Sequence, residues 1–339
     1  MKETSVSLRT RYITTAIILI SFLVIGQIIT SGGMLGRTQN ALVIQVGFYI
    51  ILAVSLNLVA GYMGQLPLGH AGFMAVGAYT AAIFWRSGNL PGVFSTIVGI
   101  ILAGLMAAAF GVIIGIPALR LKGDYLSIVT LGFGEIIRVV INNLDNITYG
   151  ARGLLNIPRY STFMVVYICV IITIAFIHML MRSRHGRAIL SIRDNEIAAK
   201  SCGINVTYYK VATFAISAFF AGIAGALMAG NQGILLPANF DFMTSVNVLM
   251  IVVLGGLGSM VGSVISATVL ISMPVFLQPL NEYRMIIYSI LLIGVMIFKP
   301  TGLMGIKEFS LSYIIELITG RKKINSKKIG KLDDERKFS

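Results

Sequence analysis

Runs of about twenty apolar residues recur along this chain, and no other feature restricts its fold as strongly. They lie near 12–30, 41–60, 68–85, 93–117, 125–144, 162–181 and 211–230, with shorter ones near 244–256, 260–277 and 285–298. As helix, each long run crosses a hydrocarbon layer of ~30 Å. Backbone in lipid must satisfy its own hydrogen bonds, which a helix does within one segment. Barrel strands would alternate polar and apolar residues, and none of these runs alternates. The composition agrees: 56 % hydrophobic, 12 % charged, mean hydropathy +0.87. The predicted class is an all-α polytopic membrane protein. The first run is too long for a signal-peptide core and no A-x-A site follows it, so it reads as an uncleaved span. Cys169 lies in a span and Cys202 in a polar loop, a placement that predicts two unbridged thiols.

The net charge of +14 raises the question of nucleic acid, and its distribution answers it. Lys2, Arg9 and Arg11 precede the first span, Arg120 and Lys122 follow the fourth, and Arg182, Arg184, Arg187 and Arg193 follow the sixth. Ten more basic residues lie from Lys299 onward. The alternate loops hold only Arg37, Arg86, Arg152, Arg159 and Arg284. Such asymmetry orients a membrane protein with its basic loops inside, so both termini are predicted cytoplasmic and no polynucleotide partner is implied. A single crossing over 244–277 would leave the basic tail outside. "GGLGSMVG", 255–262, offers a break that divides the stretch into a re-entrant hairpin or two crossings. Eight and ten transmembrane helices both satisfy the rule.

Three stretches carry polar chemistry into the apolar runs. "GYMGQLPLGHAGF", 61–73, combines four glycines, Pro67, Gln65 and His70. It fits either a broken helix lining a substrate path or a tight turn with a surface-lying His70. "LGFGEIIRVVINN" places Glu135 and Arg138 three apart, on one helix face, with Asn142 and Asn143 beyond. Charges within the membrane face a bundle interior or water, so this is a pathway strip or a packing ion pair. Small residues at 255, 256, 258, 259, 262, 263, 266 and 267 suit close helix packing or a gate.

Chemistry of other kinds is missing from the pattern. No GxxxxGK[ST] loop, nucleophile elbow or zinc motif occurs, and the three histidines are dispersed. The chain is therefore predicted to be no enzyme and to hold no cofactor or metal. If ATP drives it, another chain binds the ATP.

"IRDNEIAAKSCGIN", 192–205, is the polar exception between the sixth and seventh spans. Asp194 suits an N-cap, Glu196 a first turn, and Gly203 a helix end, which predicts a helix of about two turns. Ala198 and Ala199 would give it a flat face for another surface, bordered by Arg193 and Lys200. "EIAAKSCGI" resembles the E-A-A-x-x-x-G loop of ABC-importer permeases, whose short helix docks on an ATPase. "GYMGQLPLGHAGFMAVGAYTAA", "LRLKGDYLSIVTLGFGEIIRVVINN", "GRAILSIRDNEIAAKSCGIN" and "VVLGGLGSMVGSV" are similar, in the same order, to LivM-type permeases of branched-chain amino-acid ABC transporters. Pro67, Tyr149 and Arg152 depart from that pattern, and urea and short-chain amide permeases share much of it.

The resemblance implies import of Leu, Ile or Val through the plasma membrane of a bacterial-type cell. It also implies two ATP-binding cassette subunits, a second LivH-type permease and an extracytoplasmic substrate-binding protein. Residues 1–306 form the expected permease domain, with a coupling loop at 183–208, and 307–339 a basic cytoplasmic tail. Arg193, Asp194, Glu196, Ala198, Ala199 and Gly203 are the expected coupling residues. Gln65, His70, Glu135, Arg138 and Asn142 are the pathway candidates. From other classes, an ion-coupled carrier would show an inverted repeat, and an intramembrane enzyme a nucleophile or metal cluster. Neither signal is found.

Overall fold

Through the described residues helix follows helix, as the apolar runs require. The computed structural model describes residues 36–88, 92–121 and 123–277, with Gly26, Gln27, Thr30, Tyr283, Ser289 and Ile293. All belong to one unit, Ile25–Lys307. The rest of the expected first span, nearly all of the run at 285–298, and the basic tail lie outside the described residues. The helices are α1 (Arg37–Asn57, continued as a π-helical turn Leu58–Tyr62), α2 (His70–Arg86), α3 (Gly92–Ala118), α4 (Asp124–Asn143) and α5 (Phe163–Arg182). Two short helices follow, α6 (Arg184–Asp194) and α7 (Glu196–Ser201). The long α8 (Val206–Gln232) leads to α9 (Phe242–Gly255) and α10 (Met260–Phe276). Among the described residues the one β feature is an isolated antiparallel bridge, Leu154 to Leu235. Among the described residues, four helices are long and apolar enough to cross a membrane: Thr38–Tyr62, Gly92–Ala118, Phe163–Arg182 and Val206–Gln232.

The hub is α8, which packs on α3, α2 and α1. Small residues bring these backbones together: a Cβ on Gly77 would collide with the backbone of Gly222, and one on Gly222 with the Ala103 carbonyl. In lipid, where apolar surface is not driven together by water, such close packing supplies much of the attraction between helices. Outer faces of α3 and α5 remain exposed, with a groove of about 1140 Å³ bounded by Ile97, Ile101, Ile168, Ile172 and Phe219. It contains none of the candidate residues.

The stretch 244–277 is divided as its glycines predict. It forms α9 and α10 with a break at Gly256–Ser259, where Gly256 and Gly258 have positive φ. The Ser259 hydroxyl accepts the Gly262 amide and caps α10. Gly255 lies tight against Gly262, and Ser266 Oγ donates to the Ile251 carbonyl at 2.5 Å. These pairings define an antiparallel hairpin. Its arms, at ~1.5 Å per residue, are each shorter than a ~30 Å hydrocarbon core.

Candidate functional site

The polar segment folds as two capped helices joined by one extended residue. Ser183 Oγ accepts the His185 and Gly186 amides and starts α6. Asn195, at φ −158° and ψ 105°, interrupts it, and its Oδ1 accepts the Ile197 and Ala198 amides at 3.0 Å each. The cap of α7 is therefore Asn195, correcting the expectation for Asp194. Asp194 is still in the last turn of α6, and a cap must have left helical geometry. Its carboxylate instead holds the Arg193 guanidinium, with Nε and Nη2 both 3.2 Å from Oδ1. The far end follows expectation. Gly203 has φ +81°, Ile204 N donates to the Ala199 carbonyl and Gly203 N to that of Lys200, which is the Schellman closure.

The faces of α7 differ from the expected ones. Ala199 is only 4 % exposed, packed with Ile192, Ile204, Val206 and Tyr209. A helical step of one residue turns the side chain by about 100°, and here the step from Ala198 to Ala199 carries the second alanine into the interior. Ala198 points outward together with Ile197, which is 76 % exposed. Glu196 is turned inward too. Its Oε2 receives the Lys210 ammonium at 2.9 Å, and the lysine side chain is 4 % exposed. Arg193 also reaches inward, Nη1 donating to the Gly61 carbonyl at 3.2 Å. Thus α7 is fastened to its own chain by Ala199, Glu196 and the neighbouring Arg193, and presents Ile197 and Ala198.

The break expected at 61–73 forms around the π-helical turn. Leu68 N donates to Thr130 Oγ1 at 3.0 Å, Ser127 Oγ to the Leu66 carbonyl, and Ala71 N to Ser245 Oγ at 3.0 Å. These side chains of α4 and α9 replace the helical hydrogen bonds that the break forfeits. Gln65 is half-buried, its backbone N–H donating to the Val59 carbonyl, while the side-chain Oε1 is buried with no partner among the described residues. His70 departs from both expectations, being neither on the surface nor in a described cavity. It is 2 % exposed, with Nε2 3.0 Å from Ser55 Oγ. That hydroxyl donates to the Leu52 carbonyl at 2.9 Å, so the imidazole is the donor to Ser55. The Ser55 carbonyl accepts Ser217 Oγ at 2.6 Å, tying α1, α2 and α8 together.

Glu135 and Arg138 are paired, Nε and Nη2 each 2.7 Å from the same Oε2. Both remain about one-third exposed, 30 % and 35 % of their side chains. The buried face of α4 carries Leu126, Thr130, Ile137 and Ile141, while Asn142 and Asn143 are exposed. The pathway candidates do not form one pocket: Gln65 lies by the first half of α4, the others climb its second half, and His70 turns away. Tyr149 takes a positive φ and stacks beneath the Arg86 guanidinium at 4.7 Å, which gives one departure from the family pattern a local role. Among the described residues no cluster of three metal-ligating side chains occurs.

Sequence reasoning missed Lys210, Asn195 and Asn57. Asn57, in "SLNLVAG", is fully buried and grips the α9–α10 break: Nδ2 donates to the Ser259 carbonyl and Ser263 Oγ, and Oδ1 accepts the Gly258 amide. A lone amide in an apolar run was the available signal for it.

The chain from 38 to 296 matches the family model described as branched-chain amino acid transport system / permease component. It is 39 % identical over 290 residues to the Escherichia coli high-affinity branched-chain amino acid transport system permease protein LivM, across 76 % of this chain and 67 % of the relative. The Salmonella typhimurium LivM is 38 % identical over 298 residues, with the same coverage. The Escherichia coli permease LivH is 26 % identical over 284 residues, covering 77 % of this chain and 92 % of LivH. No solved structure matches. The helical membrane architecture, the capped α6–α7 segment and these matches lead to one assignment: the chain belongs to the permease-component family of branched-chain amino acid transport systems.

Proposed function

We propose that this protein is a translocating subunit of an ATP-driven importer of Leu, Ile and Val in the plasma membrane, with α6 and α7 on the cytoplasmic side. It has no ATPase site of its own and holds no cofactor; two ATP-binding cassette subunits bind the ATP. A LivH-type permease completes the path, and an extracytoplasmic binding protein delivers the amino acid. The observation that carries this reading is α7. A six-residue helix is too short to persist alone, yet this one is capped at both ends and pinned to α6 and α8 while Ile197 stands in solvent. That is the form of a rigid contact piece, and an exposed isoleucine beside Ala198 suits an apolar cleft. The open face of α4, with Glu135, Arg138 and Asn142, is assigned to the path shared with the second permease. There, water or the partner keeps the charges solvated.

The test is co-purification of the cassette subunits with wild type and the I197D/A198D double variant. Both substitutions lie on the exposed face, so membrane assembly is expected to persist while ATPase recovery falls at least tenfold. Full recovery would exclude α7 as the contact. Uptake of labelled leucine against labelled urea by proteoliposomes containing the assembled transporter decides the substrate class.

A further inference from the structure

Two helix breaks and the contact helix meet at one side chain. Arg193 is the penultimate residue of α6, two positions before the cap of α7. Its Nη1 donates to the Gly61 carbonyl in the π-helical turn that ends α1. Carbonyls in a final helical turn lack intrahelical donors, and the negative end of the helix dipole favours a cation there. The same Nη1 would lie 3.8 Å from a Cβ built on Gly258, in the α9–α10 break. Glycines make the approach possible: a Cβ on Gly64 would sit 2.8 Å from Arg193 Cγ, and one on Gly61 would strike the Gly258 amide. Asn57, one helical turn before Gly61, completes the junction through Gly258 and Ser259. The remaining edge of the guanidinium is set by Asp194.

We propose that Arg193 is a positioning residue that transmits displacement of α6–α7 to both membrane breaks, the one after α1 and the one between α9 and α10. This rests on the reading of α7 as the ATPase contact. Arg193 itself faces the membrane unit, so it links movement to translocation and does not capture the ATPase. An arginine is suited to this because its planar fork binds Asp194 along one edge and leaves Nη1 for Gly61; a lysine has one centre and serves one partner at a time. The π-helical turn and the short hairpin are the compliant elements such a link would move.

The experiment compares wild type, R193K, R193Q and D194N in the assembled transporter, in proteoliposomes supplied with the binding protein. Co-purification of the ATPase and leucine moved per ATP hydrolysed are the two readouts. R193Q is expected to retain the ATPase but move at least tenfold less leucine per ATP, with R193K recovering part of the loss. D194N, at an exposed site where folding is not at stake, is expected to lower the ratio two- to fivefold. An unchanged ratio in R193Q, or in D194N if R193Q does not assemble, would overturn the proposal. So would loss of the ATPase from R193Q, which would make Arg193 a docking residue. Failure of wild type to retain the ATPase would overturn the reading of α7 and this proposal together.

Discussion

Two long helices, α8, which is apolar enough to cross a membrane, and α4, place their polar groups in opposite ways. Along α8 the side chains from Phe220 to Gly230 are all buried by the protein itself, and its one charge, Lys210, is paired with Glu196. Along α4 one narrow face is buried and the opposite face keeps Glu135, Arg138, Asn142 and Asn143 open. A span can carry charge only where a partner or water compensates it. The chain provides that compensation internally for α8. For α4 it provides half, an ion pair, and leaves the strip available to another surface. Finished contacts are thus concentrated on the hub, and unfinished ones on the helix at its flank.

The largest effect should come from breaking the hub. G222L drives a side chain into the Ala103 carbonyl and Ala107, and overpacking a tight core costs roughly 1–3 kcal/mol or more. Monodisperse protein after detergent extraction should be almost lost, whereas G132L, at an open position on α4, should extract normally. Equal losses would erase the distinction between the two helices. E196Q comes next, since it strands the buried Lys210 ammonium. Breaking a fully buried pair costs about 3–5 kcal/mol, and the one-third exposure of Glu196 reduces this to an expected ~1–2 kcal/mol. Thermal unfolding should show the loss, with K210M/E196Q recovering part of it.

On α4 the expected changes are smaller. E135Q and R138Q should each lower stability by about 1 kcal/mol, because each strands one charge of a partly exposed pair. The double variant should be milder than the worse single, as measured by extraction yield. A double no better than the worse single would assign the two residues to the path and not to each other. N142A is the smallest, within about 0.5 kcal/mol in stability for an exposed residue. Its effect should appear in leucine uptake or in recovery of the second permease. No change in either would leave the open strip without a partner.

The break in the hairpin was legible because a single crossing would leave the basic tail outside, and the glycines over 255–258 offer the place where a helix is weakest. Glu135 and Arg138 were legible as a pair because helical spacing places them together before any tertiary contact forms. The coupling helix was legible in position but not in orientation. Its N-cap moved from Asp194 to Asn195 because α6 runs one residue further than local preference shows, and adjacent Asp and Asn are equally good caps. His70 was misplaced for a related reason: a lone polar residue near a break looks solvent-facing until Ser55 is seen to meet it.

The sequence by itself determined the all-α membrane class, the helices over its described apolar runs and the break between α9 and α10. These follow from transfer of short segments between water and lipid, which depends on composition and period alone. Tertiary structure decided which side of each polar helix is spoken for. Ala199 and Glu196 face inward, Arg193 reaches Gly61 with one edge of its guanidinium, and Ile197 and Ala198 face outward, because Val206, Lys210 and Gly61 lie where they do. The partners of Asn57 stand more than two hundred positions along the chain, at Gly258, Ser259 and Ser263. A buried polar group must find a donor or acceptor, but only the packed chain fixes which one it finds.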